Sequence, residues 1–325
     1  MPISTSSRQE LNDFSQSFQE SSLSDTPGVQ LIPANYGWSK ILSKIRKTRP
    51  AHVAILDSSF NPPTVAHAKL LENTMKLNLL NRYPKSATDL TSRHTNQGTE
   101  VSEHFDAYLL LFATKNADKA LSGTSVTDRL LMMEALVQTV APKCDVPDDR
   151  IGIAITTRGI FLDKAHALHS LLSSDGIAPV FLHFIMGYDT IIRFFDPKYY
   201  KNSNMDTDME VFFRSSRIIC ADRVMEGASS ESHDTLGDWL EEARKRSPIV
   251  GRFEAHIVTM QGWLEDPRGT AQASSTKARV MLKEFWKCKH AGQVEDATRI
   301  RAELRNLVPE QVMALIDQEG LYETL

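Results

Sequence analysis

Cysteine is nearly absent from this sequence. Cys144, Cys220 and Cys288 are the three in 325 residues, and so sparse and odd a set excludes a disulfide framework and reads as reduced, buried thiols. Long apolar runs are missing too. No stretch approaches the roughly 18 residues that a membrane-spanning helix needs, so no membrane is expected among the partners. Nor is there an excess of positive charge: 37 basic and 41 acidic side chains give a formal net charge of −4. That balance makes nucleic acid a poor partner and leaves a small anion, held in a local pocket, as the charged ligand to look for. The first 28 residues lack the apolar core of a secretory signal, and Glu10, Asp13, Glu20 and Asp25 argue against a transit peptide. A cytoplasmic protein that could also enter the nucleus is expected. His166 and His169, with Asp163, stand at helical spacing, but they have no cysteine partners and no His-Glu-x-x-His pattern, so no protein-held metal is expected.

From residue 50 onward the chain has a clear rhythm. Six short runs rich in Val, Ile, Leu and Phe read as strands: "HVAILD" from residue 52, "AYLLLFA" from 107, "IGIAI" from 151, "PVFLHFIMG" from 179, "RIICAD" from 217 and "EAHIVTM" from 254. Helical patterns separate them, over 64–80, 125–140, 163–172, 189–195 and 234–246. Ser125 and Asp128 stand in capping-box spacing. Three more helices are expected from about residue 274 onward, over 276–289, 293–306 and 309–319, with Pro309 in the first turn of the last. Such alternation indicates an α/β protein: a Rossmann-like, doubly wound, mainly parallel sheet with a C-terminal helical extension. Residues 1–49 read as a flexible tail with one short helix at 8–20, and 50–325 as the folded domain. The polar, aperiodic segments 82–104 and 201–210 read as loops.

Two stretches carry chemistry. "DSSFNPPTVAH", Asp57 to His67, falls where the first of these strands hands over to a helix, the edge at which doubly wound sheets bind ligands. Ser58 and Ser59 are small enough for backbone amides to approach an anion. Pro62 and Pro63 lack amide hydrogens and fix the direction of the chain. Thr64 is placed to cap the helix, with His67 on the same side three residues later. "ASSTKAR", Ala273 to Arg279, is a second helix start with hydroxyls at Ser274, Ser275 and Thr276 and cations at Lys277 and Arg279. Each also reads as a plain helix cap. Together they suit a phosphate chain gripped from two sides.

These residues resemble the nicotinamide mononucleotide adenylyltransferases, within the nucleotidyltransferases that carry an (H/T)-x-x-H signature. The first block is similar to that family's "GSFNPxTxxH" and the second to its "ISSTxxR". Three others fall between or after them in the family's order: "NADKALSGTSVTDRLLMMEAL" (116–136), "FIMGYDTIIRFFDPKYY" (184–200) and "LVPEQVMALIDQEGLY" (307–322). A divergent eukaryotic, fungal branch fits best.

The resemblance implies that ATP and nicotinamide mononucleotide, or its acid form, are joined into NAD or its deamido precursor with release of pyrophosphate. It implies that His67 and Thr64 meet the ATP phosphates, that Ser58, Ser59 and Phe60 lie along the nucleotide, and that Gly187 and Asp189 border the adenosine. Ser275, Thr276 and Arg279 are then expected on the β- and γ-phosphates, with His67, Thr64 and Arg279 as the catalytic set. Lys119 is expected at the mononucleotide phosphate, and Mg2+ mainly on phosphate oxygens and water. The chain departs from the pattern in two respects. Ser58 stands where the family has glycine, and Phe161 and Tyr199, beside Tyr200, stand near the positions where the family stacks the nicotinamide ring on tryptophan. Trp38, Trp239, Trp263 and Trp286 fall outside those blocks and read as packing residues. The alternatives are a divergent nucleotidyltransferase or ATPase with another acceptor, and a nucleotide-binding regulatory protein without turnover.

Overall fold

The computed structural model describes residues 5–21, 28–32, 45, 50–77, 104–114, 123–147, 150–174, 176–177, 179–200, 204–221, 236–246, 248–260, 270 and 273–323. Seven strands form one sheet: β1 (Val29–Leu31), β2 (Ala51–Ser58), β3 (Ala107–Ala113), β4 (Ile151–Thr156), β5 (Val180–Gly187), β6 (Ser216–Ala221) and β7 (Ile257–Thr259). Their order is β1-β4-β3-β2-β5-β6-β7. Every neighbouring pair is parallel except β1 with β4. The chain runs outward from β2 through β3 to β4, then crosses back to β5 on the other flank. The winding therefore reverses between β2 and β5, and that is where a doubly wound sheet leaves its crevice.

Successive residues of a strand face opposite sides, and the core divides accordingly. Ala54, Leu56, Leu110, Phe112, Ile153 and Ile155 belong to one apolar layer. It is covered by α1 (Thr5–Ser21), α2 (Val65–Met75), α3 (Val126–Cys144), α9 (Ser275–His290), α10 (Val294–Leu304) and α11 (Glu310–Glu319). Val53, Ile55, Leu109, Leu111, Leu182 and Phe184 belong to the other layer. There the cover is α4 (Phe161–Ser174), α5 (Tyr188–Phe194), α6 (Met205–Ser215), α7 (Leu236–Arg246) and α8 (Pro248–Phe253). No helix among the described residues is long and apolar enough to cross a membrane. Cys220 and Cys288 are buried and Cys144 is partly so. Trp286 is buried, donating Nε1–H to Leu321 O at 2.9 Å. Trp239 packs on the second layer, and Trp38 and Trp263 lie outside the described residues.

Two expectations change. Parts of the segment read as a tail are built into the sheet and its cover. Leu11 and Phe18 of α1 are buried, and Arg8 pairs with Asp128 at 2.8 Å and Glu319 at 3.0 Å. β1 adds an antiparallel strand against β4, extended by Ile32 N–H on Ile153 O at 3.1 Å. A three-residue strand is too short to show a period in the sequence. The second change is in 201–210, read as a loop: α6 starts at Met205, capped by Asn204 Oδ1 accepting from the amides of Asp206 and Thr207. Its buried stripe, Met209, Phe212 and Phe213, has helical spacing but falls mostly after residue 210. The loop expected at 82–104 lies almost wholly outside the described residues.

Candidate active site

β2 and β5 run in register as far as Leu56–Ile185, and two positions on they end at Ser58 and Gly187. Among the described residues a Cβ added at Gly187 would meet nothing within 4 Å, so around them the strand ends leave open space at the reversal of winding. The chain leaves β2 through Ser59 to Pro63. Phe60 adopts φ 47°, unusual for a residue with a side chain, while its ring is fully buried. Packing holds a backbone that intrinsic preference would not choose.

A buried irregular turn has to satisfy its backbone groups. Here side chains from two distant segments take three carbonyls. Arg129 Nη1–H donates to Ser59 O at 3.3 Å, Arg279 Nη1–H to Asn61 O at 2.6 Å, and Ser275 Oγ–H to Pro62 O at 2.8 Å. The C-terminal helices add two more ties. Val65 N–H donates to Leu307 O at 2.9 Å, and Tyr322 Oη–H donates to Asn61 Oδ1 at 2.7 Å. Thr124, just before α3, donates to the same Asn61 oxygen at 3.3 Å. The turn is thus fixed from α3 on one side and from α9 and the C-terminal residues on the other.

His67 sits at the third position of α2. Its Nδ1 accepts the Thr64 amide at 3.0 Å, the reciprocal arm of a capping box. Thr64 Oγ1 lies 2.8 Å from the same nitrogen and Ser58 Oγ lies 2.8 Å from Nε2. A backbone amide can only donate, so Nδ1 carries no proton and the neutral ring is protonated at Nε2. Burial lowers the His67 pKa to about 4, so this neutral form prevails at pH 7. The Phe60 ring is 5.3 Å away.

Of the expected residues, Ser58, Phe60, Thr64, His67, Ser275 and Arg279 come together around this turn. Thr64 is fully buried with its hydroxyl on the imidazole, so it holds the ring and does not face the crevice. Thr276 is exposed beside Arg279, accepting from Nη2 at 3.2 Å. Ser59 is exposed at the start of the turn, and Asp189 is exposed in the first turn of α5. Phe161 stands on the opposite layer, edge-on to Phe184 and Phe194 at 5.6 and 6.0 Å. Tyr199 is partly buried on that same layer, with Lys198 Nζ 4.8 Å from its ring centroid. Tyr200 is a core residue, its hydroxyl donating to Phe194 O at 2.7 Å. Lys119 lies outside the described residues.

Four residues without a role in the sequence reading matter here. Arg129 is 2% exposed, lies over Phe112 and donates Nε–H to Thr124 O at 3.3 Å. Burial and the nearby Arg279 charge both lower its pKa. Tyr322 reaches Asn61 from 261 positions away, with no local sequence signal. Asp57, next to Ser58, pairs with Lys164 of α4 at 2.5 Å in near-complete burial. A lysine in the first turn of a helix, close to an aromatic at Phe161, was the only available hint of that pair.

The chain has similarities to known proteins in sequence and in structure. It is 31% identical over 193 residues to a protein of Schizosaccharomyces pombe described as "Putative nicotinamide mononucleotide adenylyltransferase". That match takes in 59% of this chain and 61% of the relative. Two solved structures of the Plasmodium falciparum nicotinic acid mononucleotide adenylyltransferase, one complexed with NaAD and one with APC, align over 85% of this chain and 98% of theirs. Both do so at 13% identity with a TM-score of 0.47. No protein-family model matches the chain.

Proposed function

We propose that the chain is an adenylyltransferase that joins ATP to nicotinamide or nicotinate mononucleotide, giving the dinucleotide and pyrophosphate. The observation that carries this reading is the convergence, at the open ends of β2 and β5, of a neutral imidazole donor and a guanidinium on one rigid turn. In the reaction an oxygen of the mononucleotide phosphate attacks the α-phosphorus of ATP, the bond from that phosphorus to the β-phosphate oxygen breaks, and pyrophosphate leaves with the electron pair. No covalent enzyme intermediate is needed, so the protein's work is positioning and charge stabilisation.

His67 suits that work because its donor nitrogen is set by the Thr64 amide and need not be chosen when substrate arrives. Arg279 uses Nη1 on Asn61 O and Nη2 on Thr276. A guanidinium has five N–H donors, so others remain for the leaving pyrophosphate. Ser275 ties α9 to the turn, which brings the N-terminus of that helix beside the N-terminus of α2, and both favour anionic groups. Gly187 gives the adenosine side a wall without a side chain. Among the described residues no three His, Cys, Asp or Glu side chains gather to hold a metal ion. Mg2+ is assigned to the substrate, entering on the ATP phosphates. Lys119 stays assigned to the acceptor phosphate.

The test is incubation of the purified chain with Mg·ATP and either mononucleotide, followed by chromatography. Dinucleotide with one of the two supports the reading and identifies the acceptor. Inorganic phosphate alone would make the chain an ATPase. Binding of ATP without product would make it a nucleotide-binding protein.

A further inference from the structure

We propose that Ser58 is the group through which His67 acts: it takes the imidazole Nε2–H and turns its own hydroxyl hydrogen into the crevice toward the substrate phosphates. The inference rests on the adenylyltransferase reading for the identity of the substrate, and on this chain's own geometry for the relay.

Three observations support it. First, the direction of the hydrogen bond is determined. Nδ1 is occupied by the Thr64 amide at 3.0 Å, so the contact of 2.8 Å between Nε2 and Ser58 Oγ has the ring as donor. A hydroxyl that accepts in this way keeps its single hydrogen for another acceptor. Second, Ser58 is where that hydrogen is of use. It ends β2 as Gly187 ends β5, each two positions past the last pair between those strands, and among the described residues the space beside Gly187 is open. Third, the ring is not free to take over. It is held between Thr64 and the Phe60 ring at 5.3 Å, and Thr64 is fully buried. A direct contact between Nε2 and a phosphate would first require the serine to rotate away. Hydrogen bonds in a chain polarise one another, so the Ser58 hydroxyl is a stronger donor toward an anion than an isolated serine. In this arrangement Ser58 touches substrate and His67 is a positioning residue behind it.

The experiment compares wild type with Ser58→Ala, Ser58→Gly and Ser58→Thr under the dinucleotide assay, with thermal melts as the check on folding. If the relay operates, Ala and Gly lower kcat by about tenfold or more, the scale of one lost hydrogen bond to a charged group, with a smaller change in the KM for ATP, while Thr retains most of the activity. Ala or Gly variants as fast as wild type would overturn the proposal, showing that His67 reaches the phosphate directly. A second measurement is independent of turnover. The ring nitrogens of His67 are followed by 15N NMR as a non-hydrolysable ATP analogue with Mg2+ is added. The relay predicts an Nε2–H form that shifts little in wild type and strongly in Ser58→Ala. A large wild-type shift equal to that of the Ala variant would sink it. If wild type makes no dinucleotide but the NMR pattern holds, it is the adenylyltransferase reading that fails and the relay stands.

Discussion

The two ends of the β2–β5 pair each draw a histidine away from water, and the surroundings of the two rings differ. At the amino end, His52 Nδ1 and His183 Nε2 lie 3.0 Å apart, His183 is 1% exposed, and Phe105 closes over it edge-on at 5.0 Å. The His52 amide donates to the Asp106 carboxylate at 2.8 Å. At the carboxyl end, His67 makes hydrogen bonds of similar length, but its last partner is a strand-end serine beside open space. Burial lowers the pKa of both rings, His67 to about 4 and His183 well below 6.5, with His52 and Arg217 adding to the second. A perturbed histidine alone therefore does not mark a functional site. What distinguishes His67 is a donor nitrogen fixed by a backbone amide and resting on the hydroxyl at the end of a strand.

The largest effect expected is on stability at the carboxyl end. Lys164→Met leaves Asp57 buried without its partner, which typically costs about 3–5 kcal/mol. Urea unfolding should show that loss, and a double variant with Asp57→Leu should recover most of it. If the single variant is as stable as wild type, the pair is not holding α4 to the end of β2. His67→Ala should lower turnover by about tenfold or more, as loss of the Ser58 hydroxyl does, with melting little changed. Near-normal turnover in that folded variant would erase the difference between the two ends. Arg279→Ala should lower kcat/KM for ATP by about tenfold or more, the scale of one charge-assisted contact, and Arg279→Lys should not restore it, because a point charge cannot replace the planar fork. A Lys variant equal to wild type would exclude a forked contact.

The smallest effect concerns pH. His67, His169 and His256, with folded pKa values lowered to about 4, and His183, lowered well below 6.5, are neutral in the fold at pH 7. Unfolded histidines titrate near 6.5. Below that pH the unfolded chain binds more protons, so stability should fall as pH drops from about 6.5 toward 4 and be unaffected by these groups above it. His183→Gln should flatten that slope while leaving turnover at neutral pH unchanged. A loss of turnover instead would connect the amino end to the chemistry.

Much of the carboxyl end was legible because its signals are local. Two prolines, a capping threonine and His67 fall within the six residues 62–67, and hydroxyls stand at the start of the amphipathic helix α9. The central strands showed as apolar runs because both of their faces are covered. What stayed hidden depends on distance or on shortness. β1 has three residues, and the partners of Asn61, Asp57 and Ser59 come from residues 63 to 261 positions away. Local pattern also could not tell that Phe161 and Tyr199 pack on the layer opposite His67, since an aromatic beside a site and one in a core read alike.

The return of the last helices to the first turn has a consequence for biosynthesis. A ribosome delivers the Ser58–His67 segment early, but Ser275, Arg279, Leu307 and Tyr322, which hold that segment in shape, emerge long after it. Contacts of such long sequence separation form late and slowly. A nascent chain therefore carries this turn through most of the sheet's synthesis without the parts that fix it, and any affinity that depends on the turn's shape should appear only once those residues have been made.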